Sequence, residues 1–336
     1  MDLIRVAASA HLLNGVAVSP AGRTFCSFPR WVALTTPSVA EAMPDGSFRP
    51  YPGGRWNAWQ PGESTHDRIV SAHAVYADAN DKLWVVDDAA PRACPAVAGA
   101  AKLVCIDLAT DRVERVYPFD AAFLPLGAIL GHVRVDDRFA YVTEAHHGSI
   151  VVVELAGGAS RKLLAHDEST RADPAIVPVI EGREFRRHRD GKAPLLHVDL
   201  LELSSDGRWL YFMPLFGPVL RRIETKYLQD ASLSEAQVAA HVEDVARVLP
   251  LAGIARDGAG NLYLCSITEG AILRLGADGR LTTLIADPRI SFPNEPSVGP
   301  DGCLYFPSSQ IHRLALFGDG VSRVELPFEV FKVALA

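Results

Sequence analysis

The sequence predicts an all-β chain, a six-bladed β-propeller with one short inserted helix. Three observations carry this: one hairpin pattern occurs six times, further strand-like runs lie between its copies, and helical periodicity is almost absent. The six copies are NGVAVSPAGRTFCSF from Asn14, HAVYADANDKLWVVD from His73, GHVRVDDRFAYVTE from Gly131, DLLELSSDGRWLYFM from Asp199, AGIARDGAGNLYLCS from Ala252 and NEPSVGPDGCLYFPS from Asn294. Each is an apolar strand, a turn with Gly, Asp or Asn, and a second apolar or aromatic strand. Alternation marks half-buried strands, and the turn residues tolerate the backbone reversal.

The remaining strands of each blade come from the runs in between, including 103–106, 150–154, 219–223, 271–275 and 311–316. A sandwich also has many short strands, but it does not repeat one hairpin in one register. The single helix is expected over about 232–247, where Ser232-Leu-Ser-Glu235 fits a capping box and apolar residues follow at helical spacing. Leu3–Val6 and Glu325–Leu335 both read as strands, and pairing them completes the last blade. No composition break divides the chain, so residues 1–336 are expected to form a single propeller domain, with 166–194 as a long loop over one face.

Composition narrows the function. The 336 residues are 49% hydrophobic and 22% charged, the balance of a globular protein. A net charge of -7 disfavours nucleic acid and anionic membranes as partners and leaves a small-molecule substrate or ligand. The arginines of Arg183–Arg189 read as a solvated loop or as an anion-binding lid. Five cysteines form no CxxC pair or zinc-spaced cluster, and the start of the chain lacks a signal-peptide pattern, so the expected location is cytoplasmic.

In an antiparallel hairpin the first strand begins where the second ends, so residues at those two places surround one mouth of the channel. Matching the turns puts Asn14, His73, Gly131, Asp199, Ala252 and Asn294 at equivalent positions, with His132 and Glu295 next to two of them. The second-strand ends add Arg30, Trp31, Asp87, Asp88, Glu144, His146, His147 and Met213. Single members also have structural readings: Asn14-Gly15 as a turn, His73 as a core histidine, Trp31, Trp56 and Trp59 as loop packing. Asp78, Asn80 and Asp81 resemble part of a calcium loop but lack its glycine and terminal Glu, which favours turn chemistry.

The expected chemistry is general acid–base catalysis, since a carboxylate can orient a histidine and stabilise its charged form. The candidate catalytic pairs are His73 with Asp87 and His132 with Glu144; the candidate substrate-binding residues are Asn14, Arg30, Trp31, His146, Asp199, Met213, Asn294 and Glu295. No Gly-x-Ser-x-Gly elbow supports a covalent nucleophile. A divalent metal is a candidate cofactor, calcium before zinc, with oxygens from Asn14, Asp199, Asn294 and Glu295. A propeller that binds a small ligand without turnover is the alternative.

The chain resembles the Yellow/major royal jelly protein family, and more closely its bacterial branch. The similar stretches run in order along nearly the whole chain: NGVAVSPAGRTFCSFPRW, KLWVVDD, KLVCIDLATDRVERVYPF, AYVTE, HDESTRADP, SDGRWLYFMPL, SLSEAQVAAHVEDV, GIARDGAGNLYL and SVGPDGCLYF. The resemblance implies a six-bladed propeller with a ligand site at one end of its channel. Insect members are associated with small ligands such as amines or with dopachrome conversion, and bacterial ones are often labelled gluconolactonase-like. The chain departs from the family pattern at the mouth: Gly131-His132 stands for Asn-Asp, and Glu144, Ala252 and Asn294-Glu295 each stand for Asp. These departures argue that the pocket has been rebuilt for a different ligand. The reaction expected of the acid–base pairs is lactone or ester hydrolysis, or isomerisation or cyclisation of a small oxygenated ring.

Overall fold

The fold, seen in a computed structural model that describes residues 2–335 apart from 35, 36, 94, 95 and 126, is an all-β six-bladed β-propeller. Its six four-stranded sheets each contain one of the six hairpins. In strand order these are Gly15–Val18, Thr24–Ser27, Val39–Ala42 and Phe48–Pro50; Ala72–Ala77, Lys82–Asp87, Lys102–Asp107 and Arg112–Pro118; and Leu130–Val135, Phe139–Glu144, Ser149–Glu154 and Ser160–Leu163. Then follow Val198–Leu203, Trp209–Pro214, Val219–Glu224 and Glu243–Arg247, and Leu251–Arg256, Leu262–Ser266, Ala271–Leu275 and Leu281–Ala286. The last sheet runs Ser297–Val298, Cys303–Ser308, Phe328–Ala334 and Ile4–Ser9. The N-terminal strand thus pairs with the C-terminal one, from Ile4 opposite Lys332 to Ser9 opposite Phe328.

Four of the six hairpin turns share one physical device. An aspartate at the turn accepts backbone N–H groups of the reversal and also binds an aromatic donor on the returning strand. Asp78 takes Asn80 N, Lys82 N and Trp84 Nε1; Asp136 takes Arg138 N, Phe139 N and the Tyr141 hydroxyl; Asp257 takes Ala259 N, Asn261 N and the Tyr263 hydroxyl. Asp301 does the same with Cys303 N and Tyr305. The calcium-like look of Asp78–Asp81 is therefore turn chemistry: the Asp78 carboxylate is taken up by its own hairpin.

The chain divides into two compact units, one of residues 1–133, 294–309 and 326–336, the other of 134–293 and 310–325. In the first, Ala17, Phe25, Val39, Val75, Leu83, Val85 and Val104 pack the two N-terminal sheets face to face. In the second, Leu200, Met213, Leu220, Leu251, Ile254 and Leu264 do the same for the fourth and fifth sheets. Strands buried on both faces explain the near-continuous apolar runs. Cys26, Cys105 and Cys265 are free and buried, and burial raises each thiol pKa; Cys94 lies outside the described residues.

Three local expectations are corrected. The single helix over 232–247 is instead two five-residue helices, Thr225–Gln229 and Glu235–Ala239, followed by the strand Glu243–Arg247. The capping box is Ser234 with Gln237, because Asp230 holds the Ser232 N–H and hydroxyl, and the run from Glu243 satisfies its backbone on the edge of Val219–Glu224. Residues 311–316 are not a strand: Ile311–Arg313 is one 3-10 turn, and Phe328–Ala334 fills that place in the sheet. In the 166–194 loop Val179–Ile180 pairs with Arg183–Glu184 as a two-residue hairpin, and three of the four arginines in 183–189 pair locally: Arg186 with Glu184, Arg187 and Arg189 with Asp190. Exposed local pairs of this kind suit a solvated loop.

Candidate functional site

The first unit brings Asn14, Trp31 and His132 against His73, with Asn294 and Glu295 linked on through Asn14. The strand Ala72–Ala77 pairs regularly with Lys82–Asp87 except at one point: Ala72 faces Asp87 and Ala74 faces Val86, so His73 is an extra, bulged residue. A bulge re-aims a side chain and disrupts the ladder locally. The His73 carbonyl is held by side chains, accepting from Asn14 Nδ2 at 2.9 Å and from the Ser27 hydroxyl at 3.0 Å.

The bulge also decides which carboxylate meets the histidine. Asp87 does not: its fully buried carboxylate accepts from Val70 N, Ser71 N and Ala89 N and pairs with buried Lys102 at 2.7 Å. Asp88 does. One of its oxygens accepts from Ala90 N at 2.9 Å, and the other lies 3.4 Å from His73 Nδ1. Ala89 takes a left-handed conformation, φ 53°, which turns the chain sharply just after the two aspartates. Asp88 also lines a small apolar pocket of about 70 Å³ with Val97, Ala101, Phe119, Leu124 and Ala128, room for a few non-hydrogen atoms.

Two rings flank His73. Trp31 presents its edge at 5.3 Å between centroids, and His132 lies at 6.4 Å, with a ring nitrogen of each histidine within 4.8 Å of the other. Asn14 and Asn294 are joined, Nδ2 of Asn294 donating to Oδ1 of Asn14 at 2.7 Å, and Asn294 Oδ1 accepts from Glu295 N. The buried Glu295 carboxylate lies against the bare Cα of Gly15, where a Cβ would stand 1.7 Å from Oε2.

Several expected members do other work. Arg30 is buried, and its guanidinium donates to the carbonyls of Asn57, Trp59 and Val70, which ties down the loop that Trp59 packs with Val70, Ala89 and Ala100. Met213 is core, packed with Leu200, Leu220 and Leu251. Glu144 accepts from His146 N and His147 N and lies 3.3 Å from His147 Nδ1, so it caps the turn that follows its strand. His146 sits in that turn, exposed, its pKa lowered by what burial it has and by His147. Asp199, in the second unit, is again a bulged residue, skipped between Val198 and Leu200, and its carbonyl accepts from the Thr143 hydroxyl at 2.8 Å. Asp88 and Ser27 are the residues that sequence reasoning left without a role; the signal for both is the bulge, which alternation does not reveal.

Of the oxygens expected to hold calcium, that of the Asn14 amide accepts from Asn294 Nδ2 and that of Asn294 from Glu295 N, while the Glu295 carboxylate lies against Gly15; calcium takes six to eight oxygens.

No curated protein matches the chain. Among solved structures it is similar to luciferin-regenerating enzyme, with TM-score 0.59 and 10% identity over 99% of this chain and 95% of that one. It is also similar to virginiamycin B lyase from Staphylococcus aureus, with TM-score 0.55 and 11% identity over 100% and 99%, and to a gluconolactonase from Xanthomonas campestris, with TM-score 0.55 and 13% identity over 98% and 88%. At these identities the likeness shows the propeller fold. The family model for major royal jelly protein matches residues 70–283, well over half of the sequence, and the chain belongs to that family.

Proposed function

We propose that the protein is an enzyme that applies acid–base chemistry to a small oxygenated ring, hydrolysing a lactone or ester or isomerising or cyclising such a ring. The observation that carries this reading is the buried His73–Asp88 contact beside His132 and Trp31. Asp88 accepts from Nδ1–H and stabilises the imidazolium, which leaves the Nε2 lone pair as base. In lactone hydrolysis His73 takes a proton from water as its oxygen attacks the carbonyl carbon. The ring C–O bond then breaks, and the departing oxygen receives the proton. Trp31 supplies an apolar wall. The fold neighbours include a lyase, a gluconolactonase and a luciferin-regenerating enzyme, which supports small-molecule turnover. The net charge of -7 disfavours nucleic acid and anionic membrane surfaces as partners; no helix among the described residues is long and apolar enough to cross a membrane.

One feature favours the alternative of ligand binding without turnover: Asn14 and Asn294 spend their amides on internal bonds. The test is metal analysis of the purified protein, then a panel of lactones, esters and cyclic ketones assayed with wild type and His73→Gln. Wild-type turnover that falls on the order of 10²-fold in the variant, with the thermal midpoint held within a few degrees, supports the enzyme. Equal turnover removes His73 as base, and no wild-type turnover on any compound favours the binder.

A further inference from the structure

We infer that Ser27 and Asn14 are positioning residues for His73, a two-donor clamp on its bulged carbonyl that sets where the imidazole points; this rests on the acid–base reading of the site. A bulge takes a residue out of the regular register of the ladder, and a buried carbonyl needs a donor. Here it has two, Asn14 Nδ2 and the Ser27 hydroxyl. Ser27 is itself held, since its oxygen accepts from Gly15 N at 3.0 Å, and Asn14 is held by Asn294. Every member is buried, so the positions of the His73 backbone and Cβ follow from side-chain hydrogen bonds on a neighbouring sheet. The second unit repeats the device independently: Asp199 is bulged, and a hydroxyl, Thr143, donates to its carbonyl. Two bulged polar residues, each clamped by a hydroxyl from the preceding sheet, are a built way to aim a side chain out of a strand. Coupling to the acid–base step runs through geometry: the His73 Nδ1 contact with Asp88 is already long at 3.4 Å, so a small rotation of the strand start breaks it.

The test compares Ser27→Thr with Ser27→Val, which share a shape and differ in the hydroxyl, alongside Ser27→Ala. Two readouts are taken: the pH titration of the His73 imidazole by NMR, assigned with His73→Gln, and the kcat and KM pH profiles on a lactone the wild type turns over. The expected result is that Val and Ala shift the His73 titration and lower kcat about tenfold with KM little changed, whereas Thr stays close to wild type. If Val and Thr lose stability equally and both leave the His73 titration where it was, the clamp is structural only and the inference is overturned. If His73→Gln keeps full turnover while Ser27→Val still shifts the His73 titration, the clamp stands and the catalytic reading falls.

Discussion

Replacing two adjacent aspartates separates what the His73 site needs in order to fold from what it needs in order to act. Asp87 is fully buried, accepts three backbone N–H groups and holds Lys102, itself buried, at 2.7 Å. In Asp87→Asn one oxygen becomes an NH2 facing a donor, and Lys102 is left charged and buried. Breaking such a pair from one side costs about 3–5 kcal/mol. Asp88 makes fewer bonds, to Ala90 N and to His73 Nδ1. In Asp88→Asn the oxygen can still accept from Ala90, so the change in stability should stay within about 1 kcal/mol. The chemistry should not survive as well. An amide that donates to Nδ1 forces the proton onto Nε2 and removes the base, a loss of roughly 10²-fold or more in kcat/KM, about 2.7 kcal/mol in the barrier. The assays are guanidinium unfolding of both variants and turnover on a lactone the wild type accepts. Asp88→Asn destabilising as much as Asp87→Asn, or Asp87→Asn leaving the unfolding midpoint unmoved, would refute the division of roles.

Two further outcomes follow from the packing and the charges. Gly15→Ala should lose on the order of 1–2 kcal/mol, because overpacking against the Glu295 carboxylate outweighs the smaller gain from stiffening the unfolded chain; adding Glu295→Ala should recover the loss in equilibrium unfolding, and a single variant as stable as wild type removes the close contact. Burial pushes Glu181 up, but hydrogen bonds from Arg313, Ser291 and His312 outweigh it and bring its pKa to about 2. Its contribution is therefore present above an ordinary glutamate pKa near ~4.3 and fades as pH falls towards 2; solvent screening keeps it below about 1 kcal/mol. Wild type should lose more stability than Glu181→Gln between pH 5 and 2.5, and parallel profiles would take Glu181 out of that role.

The blades were legible because each hairpin is specified locally. Alternation and turn residues such as Gly, Asp and Asn are short-range signals, and all six hairpins lie where those signals put them, four of them with the turn aspartate bonded to a following Tyr or Trp. The pairing of the two chain ends was legible for the same reason, as two strand-like runs that meet in one sheet. The helix was not, because Val242 and Val245 suit an edge strand as well as a helix face, and the free edge of Val219–Glu224 decided between them.

The sequence alone determined the propeller and the neighbourhood of the candidate site, since antiparallel hairpins in one register bring Asn14, His73 and Asn294 to equivalent strand starts, and Asn14 bonds directly to both of the others. It did not determine which side chains point inward. Alternation assumes an unbroken ladder, which pairs His73 with Asp87; the bulge inserts one residue and turns the ring towards Asp88, while the His73 carbonyl accepts from Ser27 and Asn14. Arg30 and Met213 escaped sequence reasoning likewise, because their register put them at the mouth while long-range carbonyls and apolar neighbours drew them into the interior. A bulge is stabilised by donors up to 59 residues away, so only the folded chain, with those partners in place, decides its register.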